Sequence, residues 1–148
     1  MRRLRLMGLV VIAVVAIGSC DLFAPRQAVP NMPTEYEGRS VEDQGDAYVE
    51  SRNVEIYAWD SGQVDGDIVT VIVNGQVIFD EYTLTGIPEP RSVTLDNRGY
   101  NYILLYAHNE GSVSPNTAAI DLDDGSTYQN LVLSANLTTN GAMDIVVQ

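Results

Sequence analysis

From Val54 onward, apolar and polar residues alternate in short runs that turn residues interrupt. In Val54-Glu55-Ile56-Tyr57-Ala58-Trp59 the alternation places Val54, Ile56 and Ala58 on one face of an extended strand. Residues 68–73 are almost wholly β-branched, the composition of a strand covered on both faces. Asn74-Gly75 follows at once and leads into the run 76–84. Asn-Gly between two such runs predicts a tight hairpin, because both central residues of its turn need positive φ. Runs at 92–95, 100–108, 118–122, 128–135 and 143–147 continue the pattern. Turn residues separate them at Asp96-Asn97-Arg98-Gly99, Asn109-Glu110-Gly111, Asp123-Asp124-Gly125 and Asn140-Gly141. No segment keeps a helical period over about ten residues. The pattern predicts an all-β domain over 54–148, an antiparallel immunoglobulin-like β-sandwich of about seven to eight strands, with a small barrel as the alternative.

The first fifty residues follow other rules. Arg2, Arg3 and Arg5 precede an uncharged apolar run from Leu6 to Gly18, the layout of a secretory signal. A run of about 13 residues is too short for a membrane-spanning helix, which needs roughly 20. It closes on Ile17-Gly18-Ser19-Cys20, which resembles the lipobox of bacterial lipoproteins. The resemblance implies that residues 1–19 are a cleaved signal peptide and that Cys20 is lipidated, its thiol carrying a diacylglycerol and its new amino group an acyl chain. Several acyl chains make a stable anchor, since each buried methylene contributes roughly 0.8 kcal/mol. The expected location is the cell envelope of a bacterium, at the inner or outer membrane. Asp21 resembles the inner-membrane retention signal of enteric bacteria, a rule confined to that group, so the leaflet stays open.

Residues 20–53 are poor in periodic apolar positions. They contain Pro25, Pro30 and Pro33 and then Glu35, Glu37, Glu42, Asp43, Asp46 and Glu50. Such a segment is expected to be a flexible acidic tether, because it has too little apolar surface to offset its ordering entropy. Tyr48 and Val49, at its end, can begin the first strand.

Charge narrows the choice of partner. The 148 residues hold 8 basic side chains, all Arg, against 20 acids, a formal net charge of −12. Three of those Arg lie in the signal, so cleavage takes the charge to −15. A surface of that sign excludes nucleic acid, whose phosphates need a basic face. One Cys forbids an internal disulfide, and His108, the one His, forbids a multi-histidine metal site. No Gly-x-Ser-x-Gly occurs, and among 20 acids a chance pair of carboxylates identifies nothing. The chain therefore reads as non-catalytic.

Two sets of residues are candidates for binding. Asp60, Asp65 and Asp67 lie in Trp59-Asp60-Ser61-Gly62-Gln63-Val64-Asp65-Gly66-Asp67, between two predicted strands. Three carboxylates that close, interleaved with glycines, offer oxygens to a hard cation such as calcium, with Asp80 or Asp123 as possible additions from neighbouring loops. The order is not that of an EF-hand, and the competing reading is a loop whose Asp side chains cap their own amides. Tyr100, Tyr102 and Tyr106 share one face of a predicted strand with Leu104, while Ile103, Leu105 and Ala107 share the other. Exposed, the tyrosines form a platform for a glycan or peptide; covered, they are core. Asn109 and Asn116 are expected to tie down the 107–118 connection by side-chain to backbone bonds.

The series Trp59-Asp60-x-Gly62, Asp65-Gly66-Asp67-Ile68-Val69, Asn74-Gly75, Leu84, Gly99-x-Asn101, Ala107-x-Asn109-x-Gly111 and Pro115-Asn116-Thr117-Ala118, over about 54–147, resembles a small exported β-sandwich domain of bacterial secreted proteins and lipoproteins. The resemblance implies fold and setting but no reaction. Together these features predict a lipid-anchored envelope protein with a binding or structural module, meeting the membrane through its lipid and an envelope protein or glycan through its sandwich. The rival is a calcium-dependent or carbohydrate-recognising accessory module of an envelope enzyme system.

Overall fold

The computed structural model describes residues 31–148. The signal peptide, Cys20 and the first part of the expected tether lie outside the described residues. Ten strands follow in order: β1 (Glu35–Tyr36), β2 (Arg39–Val49), β3 (Asn53–Trp59), β4 (Ile68–Val73), β5 (Gln76–Thr83), β6 (Glu89–Thr94), β7 (Tyr100–Ala107), β8 (Asn116–Asp123), β9 (Tyr128–Ala135) and β10 (Thr139–Val147). They form a six-stranded sheet, β1-β2-β10-β7-β4-β5, and a four-stranded sheet, β6-β3-β8-β9. All pairings are antiparallel except β2 with β10.

The alternating pattern is what places the two sheets face to face. Val54, Ile56 and Ala58 of β3, Ala118, Ile120 and Leu122 of β8, and Leu133 and Ala135 of β9 point inward from the smaller sheet. They meet Val69, Val71 and Val73 of β4, Ile103, Leu105 and Ala107 of β7, and Met143 and Ile145 of β10. Each large member contributes roughly 1.5–3 kcal/mol by leaving water. The Asn-Gly hairpin forms as expected: Val73 pairs with Gln76, and Asn74 and Gly75 take φ of 50° and 84°. Asn74 also donates to Asn101 Oδ1 at 2.8 Å and accepts from the Tyr102 amide at 2.9 Å, which ties the turn to β7.

The tether expected to run to Asn53 is shorter than the sequence pattern suggests, because residues 39–49 are strand β2. Ser40 to Val49 pair in parallel register with Thr139 to Val147 of β10, and Ala47 and Val49 join the core. Two side-chain amides then stitch β2 to β9 of the opposite sheet. Gln44 donates to the Ser134 carbonyl at 2.8 Å and accepts from the Ser134 amide at 2.9 Å. Gln129 donates to the Tyr48 carbonyl. The domain therefore begins near Glu35 instead of Val54, and backbone pairing holds a strand too polar to announce itself.

A second, smaller apolar cluster lies on the outer face of the six-stranded sheet. Ile72, Tyr102, Leu104 and Ala142 are packed there by Met32, Tyr36, Val41 and Tyr106. The Arg39 guanidinium sits 4.2 Å above the Tyr106 ring and donates to the Ala107 carbonyl at 2.7 Å. The segment that enters the domain thus covers this face.

Candidate functional site

The candidate site is built by the β3–β4 connection at one end of the sandwich. Its two ends are pinned: the Asp60 amide donates to the Thr85 carbonyl at 2.8 Å, and the Leu84 amide to the Asp67 carbonyl at 2.8 Å. Asn109 holds the same loop from the other side, accepting from the Ile68 amide at 2.7 Å and donating to the Gly66 carbonyl at 2.8 Å. Asn116 donates in turn to the Asn109 carbonyl at 3.4 Å, so these two asparagines tie the connection as the sequence suggests.

Pinned in this way, the loop turns all three aspartates to one point. One oxygen from each of Asp60, Asp65 and Asp67 lies within 4.8 Å of the others. Asp60 and Asp67 are only 7% and 4% exposed. Some of their oxygens are satisfied locally. Asp60 Oδ1 accepts from the Gly62 amide at 2.8 Å, and Asp65 Oδ2 accepts from the Ser112 and Val113 amides, both at 2.8 Å. Asp65 Oδ1 and Asp67 Oδ1, both buried, have no hydrogen-bond partner. A buried carboxylate oxygen without a donor is costly, and two such oxygens beside each other are more so.

The electrostatics agree with that geometry. Burial first, and then the neighbouring Asp65 and Asp60 charges, push the Asp67 carboxyl up to about 6, against the downward pull of the Thr117 amide. Gly111, at φ 54°, brings the second loop against the cluster. A Cβ there would stand 2.3 Å from Asp65 Oδ1 and 2.6 Å from Asp67 Oδ1. The carboxylates face a cavity of about 240 Å³ whose walls include Ser61, Gln63, Val113, Thr117 and Val132.

This donor set suits calcium. Calcium takes six to eight oxygens at 2.3–2.6 Å, so oxygens sharing one ion lie up to about 5 Å apart. Zinc favours nitrogen and sulfur ligands, and magnesium demands stricter octahedral geometry. The capping alternative accounts for Asp60 Oδ1 and Asp65 Oδ2, and a hydrogen bond between the Asp65 and Asp67 carboxyls pairs the other two oxygens only while Asp67 keeps its proton.

The other sequence candidates separate from this cluster. Asp80 lines a different cavity, with Tyr36 and His108, and Asp123 caps the Gly125 amide at 2.8 Å in another loop. The three tyrosines do not form one exposed platform. Tyr102 is 9% exposed beneath the entering segment, Tyr106 is half-buried against Tyr36, and Tyr100 alone is open, at 57%. His108 Nε2 lies 2.8 Å from the Thr70 hydroxyl, and its ring stands edge-on to Tyr106 at 4.9 Å. The parts that sequence reasoning missed are the amide donors, those of Ser112 and Val113 in the second loop and of Thr117 in β8. Only Gly111 in its turn hinted at them.

No family model matches the chain, and neither a curated protein nor a solved structure matches it.

Proposed function

We propose that the protein is a lipid-anchored, non-catalytic module of a bacterial cell envelope, whose sandwich binds calcium at Asp60, Asp65 and Asp67. The observation that carries the calcium reading is the pair of buried, unpartnered oxygens on Asp65 and Asp67 inside a three-carboxylate cluster. A cation between them supplies what neither the solvent nor the backbone does. The envelope reading rests on Arg2, Arg3 and Arg5, the apolar run and Ile17-Gly18-Ser19-Cys20. An immunoglobulin-like class is supported by a chain that crosses repeatedly between the sheets, from β2 to β3, β3 to β4, β5 to β6, β6 to β7, β7 to β8 and β9 to β10. A structural role for His108 is supported by its bond to Thr70 and its packing on Tyr106.

Calorimetry and thermal melting of the purified protein test the calcium reading. Extracellular calcium modules bind with dissociation constants of about 0.1–1 mM, so calcium at about 10 mM is expected to stabilise the fold by roughly 1.5–3 kcal/mol. No heat of binding and no rise in melting temperature removes the reading. Mass spectrometry of the native N-terminus tests the anchor: an unmodified amino group, or cleavage elsewhere than before Cys20, removes it.

A further inference from the structure

We infer that the cavity beside the three aspartates is a glycan-binding site, in which the ion bridges adjacent hydroxyls of a neutral sugar; the inference rests on the calcium reading. The cluster is more than an accumulation of acids, because Asp67, a residue of the cavity lining, is 4% exposed and carries a buried Oδ1 without a hydrogen-bond partner. Three carboxylates do not fill a calcium shell of six to eight oxygens. Beside the carboxylates lie about 240 Å³ of space with Ser61, Gln63 and Thr117 on its polar side and Val113 and Val132 on its apolar side, room for ligand oxygens that would complete the shell. A sugar ring has that same duality, hydroxyls at its edge and carbon–hydrogen surface on its faces.

The cavity continues onto a prepared surface. Trp59 pairs with Ala119, and Ala119 with Val132, so the row nearest the cavity crosses the outer face of the four-stranded sheet. One step along, Asp121 is 1% exposed and accepts from Trp59 Nε1 at 3.1 Å, Tyr128 OH at 2.5 Å and Asn130 Nδ2. A buried carboxylate spent on three side chains of an outward face fixes the indole on the strand face that Ala119 and Val132 of the cavity wall share. Binding then costs little side-chain entropy.

Charge selects the class of ligand. Three carboxylates already outweigh one calcium ion, and Glu55 and Asp123 add further negative charge along the same face. An acidic polymer or an anionic lipid surface is repelled, whereas a neutral ligand binding through paired hydroxyls is not.

The test is native affinity electrophoresis of the whole protein through gels containing soluble neutral polysaccharides with gluco-, manno-, galacto- or xylo-backbones. Alginate serves as the acidic control, and each gel is run with calcium and with EGTA. Retardation by at least one neutral polymer in calcium, abolished by EGTA, is the expected result. Gln63→Ala, at an exposed loop position, is expected to weaken retardation about tenfold and leave the calcium heat unchanged. A calcium heat without retardation by any neutral polymer overturns the glycan inference and leaves the calcium reading standing. Absence of a calcium heat overturns both. Retardation that persists in EGTA overturns the bridging ion, and retardation by alginate alone overturns the neutral class. Equal retardation of wild type and Gln63→Ala overturns the placement of the sugar in this cavity.

Discussion

Asp67→Asn is nearly isosteric and removes one charge from a site where three carboxylate oxygens lie within 4.8 Å. Two charges at that spacing repel by about 1 kcal/mol in water and by about 3.5 kcal/mol at an effective dielectric constant near 20. The raised carboxyl of Asp67, about 6 against an ordinary 3.8, corresponds to roughly 3 kcal/mol at 1.36 kcal/mol per unit. Burial is the largest cause of that rise, followed by Asp65. The sign follows from linkage. The folded state holds this proton more tightly than the unfolded chain, so ionisation of Asp67 opposes folding. Without calcium, stability is expected to fall as pH climbs from about 4 to about 6 and then to level off. Asp67→Asn removes that slope, and its amide can donate to Asp65 Oδ1. At pH 7 without calcium the variant is expected to be more stable than wild type by about 1–3 kcal/mol, a rise in melting temperature on the order of 5–15 °C. In calcium that lead shrinks by the roughly 1.5–3 kcal/mol that wild type alone gains. Circular-dichroism melts between pH 4.5 and 7.5, in EGTA and in calcium, read all of this. A metal-free Asp67→Asn protein less stable than wild type at pH 7, or an equal calcium response from both, refutes the account.

Gly111→Ala places a methyl group 2.3 Å from Asp65 Oδ1 on a backbone at φ 54°. It is expected to cost about 1–3 kcal/mol and to abolish the calcium heat, as measured by melting and calorimetry. The hydrogen bond to Asp121 is the first cause that raises the Tyr128 phenol to about 12. Asp121→Asn is expected to return it toward 10, seen as an earlier rise of tyrosinate absorbance on alkaline titration, and to alter Trp59 fluorescence. A chain beginning at Asn53 lacks β2 and exposes the edge of β10. It is expected to melt without cooperativity or to aggregate, whereas a tether without structural part would leave the melt unchanged.

Eight of the ten strands are legible in the sequence: most by short apolar runs between turn residues, β3 by period-two alternation toward the core, and β4, covered on both faces, by its β-branched composition. Asn74-Gly75 is legible for an equally local reason, since its turn needs positive φ at both positions. β2 is not. Ser40, Glu42, Asp43, Gln44 and Asp46 look like tether, because what holds them is parallel backbone pairing with residues about a hundred positions away and the amides of Gln44 and Gln129. Main-chain hydrogen bonds leave no mark on composition. The tyrosine strand is half legible: its two faces separate as the alternation requires, but only packing by Met32, Tyr36 and Val41 decides that Tyr102 is covered.

Of the candidate site, the sequence determined the carboxylates and their spacing, and with them the class of ion that merits consideration. Tertiary structure decided which acids converge. It pinned both ends of the β3–β4 connection to Leu84 and Thr85, set Asp80 and Asp123 elsewhere, and brought Gly111, Ser112 and Val113 across to satisfy one oxygen and leave two without donors. The reason is physical: loops meet where strand ends meet, and that is set by the order of strands in two sheets, which no local pattern encodes.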